Sequence, residues 1–255
     1  MRAFIAIYKR ELAAYFYSPV AYVVLVAFLA LTGYFFYSGA SFYAMASLQV
    51  MQNPMMMELN LQTHLIAQMV SSSAVILLFG TPLLAMRLLA EEKKSGTIEL
   101  LLSYPLSDSA VVLGKFFAAW SVVAVLVAAT WVQLALLAPL AALPWKPIMV
   151  SYGGLLLLAG ALVAFSLWTS SLTESQLVAA FVGFLALLLL WAVGWAAPLV
   201  KPGLGAFLKG LSLGGHFENF PRGLVDTTDL VYFVLFMGFF LFLSIRTLEA
   251  KRWKA

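Results

Sequence analysis

Residues 116–145 read FFAAWSVVAVLVAATWVQLALLAPLAALPW, so 30 residues pass between Lys115 and Lys146 without a charge. A water-soluble domain cannot hide so long an apolar run, whereas a helix crossing hydrocarbon needs about 20 such residues. The rest of the chain agrees. Of its 255 residues 64% are hydrophobic and 10% charged, against about 25% charged in soluble domains. The expected fold class is an all-α polytopic membrane protein, with residues 1–255 forming one transmembrane domain. The absence of cysteine excludes disulfides, thiolate metal sites and cysteine nucleophiles.

Working outward from that run, six spans are expected, near 20–38, 68–89, 111–138, 150–171, 176–198 and 228–245. The 54 residues from Pro147 to Val200 hold a single charge, Glu174 in SSLTESQ, and divide there into a helical hairpin. The last span is short, because 16 residues separate Asp229 from Arg246. It must begin at Thr227, Thr228 or Asp229, with Arg246 snorkelling outward. Six crossings put both termini on one side. That side collects Arg2, Lys9, Arg10, Arg87, Lys93, Lys94, Lys115, Arg246, Lys251, Arg252 and Lys254, eleven basic residues against four (Lys146, Lys201, Lys209 and Arg222). By the positive-inside bias both termini are expected in the cytoplasm, and the net charge of +4 reads as orientation, not as nucleic-acid binding. A cleaved signal peptide is the alternative at the N-terminus, with Ser38 and Ala40 as small cleavage-site residues. The apolar stretch and its 19-residue leader are both long for that reading.

The segments between spans carry the functional signals. Residues 2–17 set Phe4, Ile5, Tyr8, Leu12, Tyr15 and Phe16 on one helical face, with Arg2, Lys9 and Arg10 on or near the other, before Ser18-Pro19. An interfacial helix over 1–18, touching membrane lipids, is expected. Between spans two and three the chain reads RLLAEEKKSGTIELLLSYPLSD from Arg87. Span two is expected to run on through Glu91, Glu92, Lys93 and Lys94 and to stop at Gly96. Thr97 would cap a short helix with Glu99 in its first turn and Leu101 along its length. Pro105 would end it, and Ser107 and Asp108 would cap the next helix. A short helix between two sharp turns suits a rigid contact with a cytosolic partner; a merely solvated loop is the plainer alternative. Residues 198–229 are too long and apolar for a simple hairpin. They are expected to re-enter the outer leaflet, with His216, Phe217, Glu218, Phe220 and Arg222 at the outer mouth. In the first external loop, Ser38 to Gln68, the methionines Met51 and Met55 to Met57 read as adaptable packing ahead of a copper site, so no metal is assigned.

Several chemistries are absent. No GxxxxGK[ST] loop occurs, so no ATP hydrolysis and no bound cofactor are expected of this chain. The spans hold no Asp or Glu away from their ends, which argues against ion coupling. Neither GxSxG nor HExxH is present, and the interior polar residues are scattered ones such as Thr130, Gln133 and Ser166. What remains is a passive membrane component that needs energy from elsewhere if it does work.

The run EEKKSGTIELLLSYPLSDSAVVLGK, residues 91–115, resembles the signature of ABC-transporter permeases of the type-2 exporter class. IAIYKREL with YFYSPVAYV at 5–24, SSLTESQ at 170–176 and HFENFPRGLVDTTDLVYF at 216–233 resemble the gliding-motility-associated subgroup. The resemblance implies a six-helix permease in a bacterial inner membrane, pairing with a second permease copy or homologous subunit. It also implies a cytosolic ABC ATPase dimer that holds the ATP and Mg, and leaves room for an auxiliary envelope subunit. The coupling helix of that family maps onto Glu91 to Leu102, a second ATPase-approaching element onto Arg2 to Phe16, and the external re-entrant helices onto Pro198 to Asp229. A non-transporting scaffold of an ATPase-driven envelope complex is the second reading, and an intramembrane enzyme the third.

Overall fold

The computed structural model describes residues 2–52, 60–97 and 107–252. It is helical, with no strand among the described residues. Helix α1 (Arg2–Phe16) meets α2 (Pro19–Gln52) at a sharp elbow, where Ser18 and Pro19 interrupt the helical ladder. A π-turn at Gln62–Ile66 leads into α3 (Ala67–Ala85), and after a break at Met86 α4 (Arg87–Lys94) continues it. Then follow α5 (Asp108–Ala129), α6 (Trp131–Leu137), α7 (Trp145–Leu172) and α8 (Gln176–Ala192). A 3₁₀ turn at Val193–Leu199, α9 (Pro202–Leu211) and α10 (Leu213–Phe217) precede α11 (Thr227–Arg252).

Six stretches are long and apolar enough to cross a membrane: Pro19–Val50, Gln62–Lys94, Asp108–Leu137, Trp145–Leu172, Gln176–Leu199 and Thr227–Ala250. The chain is thus a multi-pass membrane protein. The expected first external loop from Ser38 is corrected: α2 continues through it to Gln52. Nothing between Ser38 and Gln52 is charged or proline, so the helix has no reason to stop at the bilayer edge. Met55 to Met57 lie outside the described residues. Helix α11 begins at Thr227, one of the three expected positions. Its capping side chain stands one residue earlier, where Asp226 Oδ1 accepts the Thr228 N–H at 2.8 Å.

The second and fourth spans are the most enclosed, and α7 runs through the centre with α3, α5 and α11 around it. Several interior polar groups tie spans together, while the buried Ser166 and Thr81 hydroxyls have no partner among the described residues. Thr130 and Tyr152 share a hydrogen bond of 2.8 Å, Gln133 donates to Thr32 at 3.2 Å, and the Trp120 indole donates to the Leu156 carbonyl at 3.0 Å. Each ties one span to another where lipid offers no alternative partner. Aromatic rings close the α7–α11 seam, with the Phe165 and Phe236 rings each centred 4.7 Å from that of Phe240.

Candidate functional site

On the face that carries both chain ends, α1 lies across the start of α5. Its buried stripe is Ile7 and Tyr15 with Phe4, Tyr8 and Glu11 beside them, while Ile5 and Phe16 stay exposed. The stripe is therefore rotated from the expected apolar face. The helix has apolar residues over a wide arc, and the part centred on Ile7, Glu11 and Tyr15, four residues apart, meets protein. Gly114 permits the approach: a Cβ there would lie 2.9 Å from Ile7. Phe4 sets its ring edge-on to Phe117, and Tyr8 shares a hydrogen bond of 3.1 Å with Ser121.

This docking encloses a charge network. Lys115, 1% exposed, places Nζ 3.0 Å from Glu11 Oε1 and 2.9 Å from Glu92 Oε1. Arg10 reaches the same two oxygens at 2.6 and 2.7 Å. Two cations and two carboxylates thus cancel and join α1, α4 and α5. Burial pushes the Glu11 carboxyl up, yet Lys115 and the hydrogen bond from Arg10 outweigh it and hold it below its ordinary value. Burial pushes the Tyr15 hydroxyl upward; it donates to the Leu84 carbonyl at 3.0 Å, and the Arg87 guanidinium lies 4.5 Å over its ring.

A second clasp holds α4 to the end of α7. Ser170 Oγ accepts from the Leu89 and Ala90 N–H groups, each at 3.1 Å, and donates to the Met86 carbonyl at 2.7 Å. A side chain inserted into the helical ladder explains the break between α3 and α4. Lys93 is buried and donates to the Ser171 carbonyl. The expected coupling residues therefore divide. Glu92 and Lys93 are internal ties, a correction to their reading as part of a charged entrance, whereas Glu91, Lys94, Gly96 and Thr97 are exposed. Gly96 has φ +69°, the left-handed turn that stops α4, and Thr97 resumes helix. Glu99, Leu101 and Pro105 lie outside the described residues. Ser107 caps α5 as expected, accepting the Ala110 N–H at 3.3 Å. Lys9 is exposed, and for Arg2 only the backbone is described.

At the opposite face the segment after α8 folds back on the spans. Phe220 lies directly over Gly154, where a Cβ would meet its ring at 2.2 Å, and it is buried. Its expected place at an open mouth is corrected, because the missing side chain at Gly154 lets the ring sink between helices. Phe217 is buried too and forms part of the floor of a groove of about 400 Å³ between Trp191, Trp195 and Lys209. Gln62 Nε2 donates to the Pro221 carbonyl at 2.8 Å and to Ser151 Oγ at 3.0 Å. His216 Nδ1 stands 2.7 Å from Asp229 Oδ1 and its Nε2 3.2 Å from the Gly210 carbonyl, with the Tyr232 ring stacked at 3.9 Å. Arg222 is exposed and pairs with Glu218 at 2.6 Å.

Sequence reasoning missed Glu11 and gave Lys115 only a topological role. A lone carboxylate on a basic helix, four residues from both Ile7 and Tyr15, was the available signal. Among the described residues no cluster of metal-ligating side chains occurs. No curated protein matches the chain. Residues 5–245 match the family described as ABC-2 family transporter protein. With six apolar helices and nearly its whole length covered, the chain belongs to the ABC-2 transporter family and is a membrane permease component of an ABC transporter.

Proposed function

We propose that this permease works as an exporter driven by separate cytosolic ATPase subunits, which bind the ATP and Mg. Both termini face the cytoplasm of a bacterial inner membrane in this reading, and a second permease copy or homologous subunit completes the path. The observation that supports it best is the Glu11–Lys115–Glu92–Arg10 network, which fastens the interfacial helix to the ends of spans two and three. An ATPase pressing on the exposed turn at Lys94, Gly96 and Thr97, with Glu91 at its edge and residues 98–102 beyond, then moves α1, α4 and α5 together. Ser170 marks the joint, since its hydroxyl replaces a helical hydrogen bond at Met86. Span two suits a lever, because 33 residues of helix measure about 50 Å, well beyond the ~30 Å of hydrocarbon.

On the outer side the segment from Pro198 to Asp229 caps the path, with His216, Phe217, Phe220 and Arg222 holding the cap. The apolar spans favour lipidic or amphipathic cargo, and the sequence pieces at 5–24, 170–176 and 216–233 support the gliding-motility-associated subgroup. Copurification with the ATPase encoded beside it tests the reading. Complex formation with membrane-dependent ATP turnover, weakened by Lys94→Glu, is expected. Isolation of the chain alone, or a complex in which ATP drives no movement of lipid, glycan or peptide in proteoliposomes, favours a scaffold.

A further inference from the structure

At the elbow between α1 and α2, a pocket of about 200 Å³ with a mixed polar and apolar lining opens between spans one, two and five. Ser18, Arg87, Glu91 and Gln176 bring polar side chains to one part of it, while Val20, Leu83, Leu84 and Met86 contribute to an apolar wall that acyl carbons can lie against. Arg87 and Gln176 are half-buried and Ser18 buried, and no protein hydrogen bond engages the Ser18 hydroxyl or the Gln176 amide among the described residues, which leaves both free to meet a ligand in the pocket. Arg87 and Glu91 stand one helical turn apart on α4, the spacing at which opposite charges normally pair. They form no salt bridge with each other or with any described residue, and the Arg87 guanidinium meets only Tyr15. A half-buried guanidinium and a carboxylate kept apart across an open pocket ask for a ligand carrying both charges. The place specifies its kind, since the elbow joins an interfacial helix to the first turn of a span, the level of lipid headgroups.

We infer that this pocket binds the headgroup of a zwitterionic phospholipid with a primary ammonium, of the phosphoethanolamine type. The phosphate is taken by Arg87 with the Ser18 hydroxyl and Gln176 amide donating, and the ammonium by Glu91. A choline headgroup has no N–H to donate to Glu91, and a glycerol headgroup brings no cation. The site needs no ATPase partner, so it stands or falls apart from the export reading.

Native mass spectrometry of the full delipidated chain, titrated with phosphatidylethanolamine, phosphatidylcholine and phosphatidylglycerol of matched acyl chains, tests the assignment. The ethanolamine lipid is expected to bind about tenfold more tightly than the choline lipid, as one charge-assisted hydrogen bond provides. Glu91→Gln, at an exposed position that leaves the fold intact, erases that preference and raises the glycerol lipid relative to the others. Arg87→Gln weakens all three. Equal binding of the ethanolamine and choline lipids to the unaltered chain, or a preference that survives Glu91→Gln, overturns the inference. Free phosphoethanolamine distinguishes the source: displacement of the lipid at equal concentration marks a soluble phosphoester site and overturns the lipid assignment.

Discussion

The two ends of the molecule are held by different physics. At the face bearing the chain ends, helices are joined by charge: Lys115 sits at 1% exposure between Glu11 and Glu92, and Arg10 closes the set from outside. At the opposite face close packing carries more of the joint, with Phe220 seated over Gly154 and Gly223, at φ +80°, against Pro147, beside the local polar ties of His216 with Asp229 and of Gln62 with Pro221. Charge networks are costly to break at any one member, yet they act over a few ångströms and tolerate small shifts together. Close packing tolerates almost none. On the proposed reading, in which an ATPase pushes on one side and the other side is kept sealed, a permease has reason to use them in this order.

The contrast breaks most sharply at the buried lysine. Lys115→Met leaves the partly buried Glu11 and Glu92 sharing only the exposed Arg10, and a loss of about 3 kcal/mol, the low end of the range for breaking a buried pair, is expected, read as a lower unfolding midpoint in detergent. Adding Glu11→Gln and Glu92→Gln to it recovers much of that loss, which a purely steric defect would not show. On the opposite face Gly154→Val drives a side chain into Phe220 and costs about 1–3 kcal/mol, measured by the same melting curves. Ser170→Ala strips the joint at Met86 of three hydrogen bonds; since the helix can re-form part of its own ladder, only about 1 kcal/mol is expected, with faster hydrogen exchange at Leu89 and Ala90. The mildest change sharpens the contrast. Glu11 is held below its ordinary value of 4.5, so its stabilisation is complete above that value and declines as pH falls below it. Acid melting curves of the chain and of Glu11→Gln therefore converge at low pH and separate near neutrality.

Much of this was legible in the sequence, for reasons that differ by region. Charge-free runs marked six spans, and Gly96 and Ser107 marked helix ends because their backbone roles are local. The far end of α2 was not legible, since a helix leaving the bilayer needs no signal to continue and Ser38 to Gln52 offers neither charge nor proline. Apolar periodicity placed α1 on the membrane surface but could not choose which arc meets protein, and so passed over Glu11. Glu92 and Lys93 show the same limit: a doublet of opposite charges reads as solvated surface until Lys115 and Ser171, distant in sequence, are brought beside them.

That the turn after Glu92 receives the ATPase is tested most directly by crosslinking. The chain has no cysteine of its own, so Thr97→Cys supplies a single thiol on the exposed turn and Lys146→Cys a matched one on the opposite face. Crosslinking of the copurified ATPase subunit to the first and not the second, in membranes, is the predicted result. Equal labelling of both, or none at Thr97→Cys in an assembled complex, contradicts that role for the turn.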